Sequence, residues 1–185
     1  HNGISNGYFC ELNGFGNDIS ESDIFSIQQE MQSIIHQDIP FVRKDILTED
    51  AIGLLLKQGL EDKAELFEQQ GRMYSNLYFL KDLGNHFYGQ LLPSTTYITN
   101  FGLVKYFNGL LLQIPKRKDF TKLRKVQEQK KLFDIYQEHK NWAEILNVST
   151  IGNLNGFTLK GQSGHVIKIS EALQEKKIAE IANKI

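Results

Sequence analysis

The sequence predicts an α+β domain, with an antiparallel sheet and packed helices, followed by an all-α connector. Strand-like aromatic runs and helical patterns alternate as far as residue 115. An Asn-Gly pair between two apolar runs in this part is typical of a hairpin, which makes the strands non-parallel. Beyond residue 120 no run is convincingly strand-like. We therefore predict two regions, residues 1–115 and 116–185.

The first predicted elements are a strand over residues 5–12 and a helix that begins after Ser20. Turn-forming residues at positions 14–18 separate the two. Ser20 is expected to cap the helix, and Asp23 has the spacing of a capping box. Apolar residues recur at helical spacing along one face until about Asp38.

A strand over residues 41–46 and two short helices follow. Thr48 is expected to cap the first helix, which Gly59 ends, and residues 61–69 form the second. Both helices are therefore predicted to lie between strands of the α+β domain.

The remaining part of the domain is predicted to be mostly β. Strands are expected over residues 73–80 and, briefly, at residues 87–88. Residues 108–109, Asn-Gly, lie between apolar runs at 103–107 and 110–114 and predict a hairpin with its turn at this pair.

Four helices are predicted after a basic hinge at residues 116–118. They are expected around residues 132–136, around residues 142–146, over residues 153–160, and after a cap at Ser163. These helices make up the connector.

Charge and composition limit the classes of function. The net charge is −1, but residues 1–50 carry nine acidic and two basic residues, and residues 116–131 carry eight basic and two acidic ones. No aromatic series is interleaved with the basic residues, so we do not expect nucleic acid as a partner. No apolar run has the length of a membrane span, and we expect a cytoplasmic protein without membrane contact.

Motifs for metal or nucleotide chemistry are missing from the sequence. Its five histidines show no HxxxH or HExxH spacing, and no phosphate-binding loop or GxGxxG is present. The single cysteine, Cys10, lies in an aromatic run, which favours a small buried side chain over a nucleophile. We expect no cofactor in this chain.

Several segments occur in an order that resembles the second additional domain of threonyl-tRNA synthetase, which alanyl-tRNA editing proteins share. The similarity covers about residues 1–114. It rests on residues 6–11, 19–23, 30–41, Gly59, Lys63, the turn at 92–95, and positions 101–109 in the closing strands. The resemblance implies the α+β fold.

The same resemblance implies that editing activity is lost. The family edits with an HxxxH pair, which would precede His1, and with an Asp-x-Cys-x-x-x-His segment before the proline turn. Phe87 and Leu91 stand at the Cys and His positions, and Asn85 stands at the Asp position. Phenylalanine and leucine neither bind metal nor transfer protons. The candidate residues lining the remaining cleft are Lys63, Asn85, His86 and Tyr97.

Residues 127–185 resemble the helical connector of multidomain uridine kinase-like proteins, in which a synthetase-type domain precedes a nucleoside kinase domain. We therefore expect the chain to be a piece of a longer protein. ATP and magnesium are expected only for that kinase domain, which is the expected partner within the same chain.

Three functions are consistent with these observations. The first is a non-catalytic accessory region of a nucleoside kinase-like protein, whose cleft binds a small molecule. The second is a tRNA-linked hydrolase or binding domain with a cleft remodelled around Lys63, His86 and Tyr97. The third is a dimerisation scaffold in which the C-terminal helix pairs with that of a second copy.

Overall fold

The computed structural model of the chain describes residues 2–12 and 19–184. The predicted turn at residues 14–18 lies outside the described residues. The elements in chain order are β1 (Asn2–Ile4), β2 (Gly7–Cys10), α1 (Glu21–His36), β3 (Val42–Leu47), α2 (Thr48–Lys57), α3 (Glu61–Gln70), β4 (Tyr74–Leu80), β5 (Leu83–Asn85), a 3₁₀ turn (Thr95–Tyr97), β6 (Gly102–Tyr106), β7 (Gly109–Gln113), β8 (Pro115–Lys116), β9 (Asp119–Leu123), α4 (Lys130–Ile145), α5 (Ile151–Leu159) and α6 (Ser163–Ala182).

Contacts within the chain group its residues into two units. The first unit contains His1–Lys44 and Tyr78–Ile135, and the second contains Asp45–Leu77 and Tyr136–Ile185. The predicted division in sequence, residues 1–115 and 116–185, stays a prediction.

A four-stranded antiparallel sheet is the centre of the first unit. Its strand order is β1-β2-β7-β6. Helix α1 packs on this sheet through a buried cluster that contains Ile19, Ile24, Leu103 and Leu110. A second sheet has the order β3-β4-β5. The predicted α+β class, with antiparallel strands and packed helices, is thereby confirmed.

The first predicted strand is in fact a hairpin. Strands β1 and β2 pair so that Ile4 faces Gly7, and the turn residues Ser5 and Asn6 both have positive φ angles, 53° and 64°. The buried Ser5 hydroxyl accepts a hydrogen bond from the Gln127 backbone N–H at 2.7 Å. This contact stabilises a serine in a conformation that L-residues seldom adopt.

The predicted hairpin at residues 103–114 is present, but its turn is one residue earlier than expected. Tyr106 pairs with Gly109, so the two-residue loop is Phe107-Asn108, and Phe107, not Asn108, has a positive φ of 49°. The Phe107 ring stacks on Phe133 with the centroids 4.2 Å apart. Aromatic packing therefore stabilises a turn that Asn-Gly geometry alone would place elsewhere.

Close backbone approach explains the shifted register. A Cβ atom on Gly109 would lie 2.5 Å from the Cys10 carbonyl oxygen and 2.9 Å from the Phe9 ring. On the other strand of the same pair, a Cβ atom on Gly7 would lie 2.7 Å from the Leu112 carbonyl oxygen. Position 109 therefore lies in the strand and requires glycine, because only a residue without a Cβ atom fits there.

The start of α1 is confirmed. The Ser20 hydroxyl accepts a hydrogen bond from the Asp23 N–H at 3.1 Å, and the Asp23 carboxylate accepts one from the Ser20 N–H at 3.0 Å. The Asp23 carboxylate also accepts a hydrogen bond from the Ser20 hydroxyl at 2.5 Å, and this bond together with the one from the Ser20 N–H lowers the pKa of Asp23. The helix ends at His36, with Gln37 as its C-cap.

Two of the predicted caps are wrong. Thr48 is the first residue of α2, and its buried hydroxyl is 2.9 Å from the Ser75 hydroxyl instead of capping the helix. Ser163 is likewise the first residue of α6, whose cap is Gln162. A capping pattern in the sequence does not show whether the hydroxyl will instead hydrogen-bond to a residue distant in sequence. Thr150, in contrast, caps α5 by accepting from the Asn153 N–H at 3.1 Å.

In the second unit, α3 packs against α5 over a small polar contact. The Gln69 amide donates to the Gly152 carbonyl oxygen at 2.9 Å, and the Asn153 amide donates to the Glu65 carboxylate at 3.1 Å. Gly152 is buried, and a Cβ atom there would lie 2.9 Å from the Glu65 carboxylate. The glycine therefore permits the two helices to approach.

Three further expectations are corrected. The short strand predicted at residues 87–88 is wrong, because these residues lie outside the strands and β5 ends before them, at Asn85. The basic hinge and the residues after it form the β8–β9 hairpin, although no strand was expected beyond residue 120. The two helices predicted around residues 132–136 and 142–146 are one continuous helix, α4.

None of the helices in the described part of the chain is long and apolar enough to cross a membrane.

The glycine requirement at the β2–β7 contact predicts a large effect of one methyl group. We expect Gly109→Ala to lower the free energy of unfolding by about 1–3 kcal/mol, because the new Cβ overlaps the Cys10 carbonyl. Gly53→Ala, in α2 with open space around it, is the matched control and should stabilise by about 0.5–1 kcal/mol. Urea denaturation measures both. Equal stability of Gly109→Ala and the unmodified protein would contradict the close approach.

Candidate functional site

The structure divides the four predicted cleft residues between the two units. Asn85 ends β5, His86 follows it, and Tyr97 ends the 3₁₀ turn, all in the first unit. Lys63 lies on α3 in the second unit. A cleft within either unit alone therefore contains only some of the four residues. That all four line one cleft stays a prediction.

Asn85 and His86 are joined by local hydrogen bonding. The Asn85 side-chain oxygen accepts a hydrogen bond from the His86 backbone N–H at 2.8 Å. The His86 ring meets the Tyr88 ring edge-on, with centroids 4.9 Å apart. Both Asn85 and His86 are half-buried, whereas Tyr97 is 57% exposed. The amide of Asn85 thus fixes the backbone where the chain leaves β5.

Phe87, which the resemblance places at the position of the editing cysteine, packs as an aromatic side chain. Its ring lies edge-on to Tyr78, with the centroids 6.2 Å apart. Leu91, which the resemblance places at the position of the editing histidine, is half-buried. Neither side chain carries a group that ionises, so this pair supplies packing area and no acid, base or nucleophile.

The turn that follows Leu91 is held by Thr95, whose exposed fraction is 1%. Its hydroxyl accepts a hydrogen bond from the Ile39 N–H at 3.0 Å and donates one to the Ile34 carbonyl oxygen at 3.0 Å. The Thr95 N–H donates to the Ile39 carbonyl oxygen at 2.9 Å. One buried side chain therefore connects the proline turn to the end of α1 and to the segment before β3.

Two further bonds reinforce this connection. The Phe41 N–H donates to the Pro93 carbonyl oxygen at 3.0 Å, and Pro40 forms an isolated antiparallel bridge with Ser94. The Ser94 hydroxyl also donates to the Asp38 carboxylate. The turn is consequently paired on both its backbone and its side-chain atoms.

An apolar cavity of about 380 Å³ adjoins the same turn within the first unit. Only two of its lining residues, Thr95 and Asn100, have polar side chains. The apolar lining comes from α1, from β4 and β7, and from the segments around them: Met31, Ile34, Ile35, Phe41, Leu80, Ile98, Phe101, Leu112, Ile114 and Pro115. Such a lining suits an uncharged apolar group and offers no charge to a polar substrate.

Residues able to bind a metal do not cluster in the described part of the chain, where no three His, Cys, Asp or Glu side chains share a site. Cys10 is half-buried, and its thiol donates to the Tyr8 carbonyl oxygen at 3.6 Å. Burial raises the pKa of this thiol, which lowers its thiolate fraction at neutral pH. This agrees with the preference for a packing role over a nucleophile.

Thr95 and the cavity are features that sequence reasoning missed. The resemblance predicts the proline turn itself, but no local pattern shows that Thr95 is buried or that its hydroxyl reaches α1. The four apolar residues of α1 and β7 that line the cavity were recognised only as members of helical or strand patterns.

The Thr95 hydroxyl should contribute measurably to stability. We expect Thr95→Val to lower the free energy of unfolding by about 1–3 kcal/mol, because it leaves the Ile39 N–H without its side-chain acceptor. Thr96→Val, at an exposed neighbour, is the matched control and should change stability little. Urea denaturation compares the two, and equal effects of both variants would refute the connection.

Comparison with known proteins finds no matching family model. Curated relatives are threonine–tRNA ligases. That of Syntrophotalea carbinolica is 29% identical over 145 residues, covering 70% of this chain and 22% of the relative. That of Thermotoga maritima is 32% identical over 107 residues, covering 58% of this chain and 16% of the relative. That of a Geobacter species is 28% identical over 100 residues, covering 54% and 16%.

The chain thus spans about a fifth or less of the length of these relatives. Together with the α+β fold, the similarity shows that the chain contains a threonyl-tRNA synthetase-like domain.

Proposed function

We propose that this chain is a non-catalytic accessory region of a uridine kinase-like nucleoside kinase, built from a synthetase-type domain that has lost its editing chemistry. The observation that carries the proposal is the pair Phe87 and Leu91 at the positions of the editing cysteine and histidine. Near them lie the half-buried His86 and the exposed Tyr97.

The surroundings of the turn support a binding or positioning role. The hydrogen bonds of Thr95 hold the turn in one arrangement, and the adjacent cavity of about 380 Å³ is almost wholly apolar. A rigid apolar site of this size suits an uncharged ligand or the packing of a neighbouring segment. It does not suit hydrolysis, which needs a positioned base and a stabilised oxyanion.

The C-terminal helices support the kinase part of the proposal. Helices α4, α5 and α6 lie within residues 127–185, the part of the sequence that resembles the connector of multidomain uridine kinase-like proteins. ATP and magnesium would then bind to the kinase domain of the longer chain. The role of the present region would be to position or regulate that domain.

A second candidate function is supported by the relatives themselves. All three named relatives are threonine–tRNA ligases. A tRNA-linked hydrolase or binding domain would use a remodelled cleft with Lys63, His86 and Tyr97. The resemblance places Phe87 and Leu91 at the positions of the editing cysteine and histidine, which makes this the weaker candidate.

The kinase proposal is tested by assaying ATP-dependent phosphorylation of uridine. The 185-residue chain should show no turnover, whereas the longer product of its gene should phosphorylate uridine and should contain a phosphate-binding loop. Loss of the reaction on replacing the lysine of that loop is the control for the assay.

Two outcomes would overturn the proposal. One is ATP-dependent turnover by the 185-residue chain, which would make it catalytic. The other is a longer product that contains no phosphate-binding loop and does not phosphorylate nucleosides.

A further inference from the structure

A cavity of about 430 Å³ lies between α4 and α6 within the second unit. Most of its wall is apolar or aromatic, with Trp142 and Leu146 on α4 facing Leu173 and Ile178 on α6. Trp142 and Leu146 are four positions apart, so they lie on the same face of α4. The volume falls in the range of small-molecule sites, which is about 300–1,000 Å³.

Polar side chains complete the lining of this cavity. They are His139, Ser170, Gln174 and Lys177. The Ser170 hydroxyl donates within its own helix. The side chains of His139 and Gln174 form no hydrogen bond with a described residue, and neither does the indole N–H of Trp142. Three side chains with N–H groups at the cavity therefore lack an acceptor in the described part of the chain.

Lys177 is the charged residue of the cavity, since none of the described residues that line it is acidic. Its ammonium donates to the Glu138 carboxylate at 2.5 Å, and this hydrogen bond raises the pKa of Lys177. The ammonium is therefore protonated at neutral pH. It has three N–H donors, and Glu138, which is outside the cavity lining, accepts from one of them. Two donors are thus left for a further acceptor.

We infer that this cavity binds a small aromatic carboxylate. The ring of the ligand would lie against Trp142 and the aliphatic wall. Its carboxylate would accept hydrogen bonds from the Lys177 ammonium and from the nearby N–H groups. Donors without a neighbouring negative charge favour an anion over a cation.

Two simpler ligands match the lining less well. An inorganic anion or acetate would satisfy Lys177 but would leave the half-buried Trp142 and the aliphatic wall in contact with water. An uncharged aromatic ring would cover the wall but would leave the donors of Lys177 without a charged acceptor. Only a ligand with both parts uses the whole lining.

This cavity is separate from three of the predicted cleft residues. It lies in the second unit, whereas Asn85, His86 and Tyr97 belong to the first. A ligand here would bind whether or not the longer chain contains a kinase domain. The sequence shows Trp142 and Leu146 only as part of a helical pattern, and the facing side chains of α6 are distant in sequence.

The experiment measures binding of 2-naphthoate to the 185-residue chain by isothermal titration calorimetry and by ¹H–¹⁵N NMR. Trp142 is the only tryptophan, so its indole N–H gives a single resonance that reports on this cavity. We expect saturable binding with a Kd below about 1 mM, and a shift of the indole resonance that saturates in parallel. The uncharged 2-naphthamide should bind about tenfold more weakly, because it forms no charge-assisted hydrogen bond with Lys177.

Three variants locate the ligand. Lys177→Met should weaken binding of 2-naphthoate about tenfold and leave binding of 2-naphthamide unchanged, because it removes the charge and keeps an unbranched apolar chain. Lys168→Met, at an exposed position of the same helix, is the matched control for charge and should change neither affinity. Trp142→Leu should weaken binding of both ligands about fivefold, since both contain the ring.

Several results would overturn the inference. These are a titration without saturation, equal affinity for 2-naphthoate and 2-naphthamide, equal losses in Lys177→Met and Lys168→Met, or binding that leaves the indole resonance unmoved. Thermal unfolding midpoints show whether each variant is folded. The indole resonance of the unmodified protein tests the location of the ligand even if Trp142→Leu does not fold.

Discussion

The close approach of β2 and β7 is the constraint on which the first unit depends. Gly7 and Gly109 leave room for carbonyl oxygens that a Cβ atom would meet at 2.7 and 2.5 Å. Strand β7 lies between β2 and β6, and Leu111 on it is fully buried. The sheet exists in this register because two positions carry no side chain.

The candidate site inherits its geometry from that sheet. Helix α1 contacts Leu103 on β6 in two ways. The Leu103 N–H donates a hydrogen bond to the Gln28 side chain at 3.2 Å, and the Leu103 side chain packs beside Ile24. The last turn of α1 then presents the Ile34 carbonyl oxygen to Thr95, and Thr95 holds the proline turn. The proline turn is therefore connected through α1 to the sheet that contains the two glycines. None of these contacts involves Phe87 or Leu91, so this scaffold does not depend on the side chains at those two positions.

Much of the fold could be predicted from the sequence because it is encoded locally. The capping box at Ser20 and Asp23 is a short-range pattern, and the structure forms it as predicted. Thr48 has the same kind of pattern, but its hydroxyl is hydrogen-bonded to the hydroxyl of Ser75, a residue distant in sequence. The turn at Phe107 and Asn108 shows the same limit, since stacking on Phe133 and the space needed at Gly109 override the Asn-Gly preference.

The candidate site could be predicted only in part. Resemblance to a family identified positions 85, 87 and 91, because their spacing from Pro93 is a property of the sequence. The buried role of Thr95 and the apolar cavity depend on contacts between segments distant in sequence. No periodicity or motif in the sequence encodes such contacts, so only the three-dimensional structure shows them.

We propose that this domain keeps the synthetase-type fold without editing chemistry. The most direct measurement is the rate at which the chain deacylates a mischarged tRNA, with an editing threonyl-tRNA synthetase as the positive control. We expect a rate equal to that of the tRNA alone, because Phe87 and Leu91 supply no reactive group. Faster deacylation that is abolished by His86→Ala or Lys63→Ala would contradict the account.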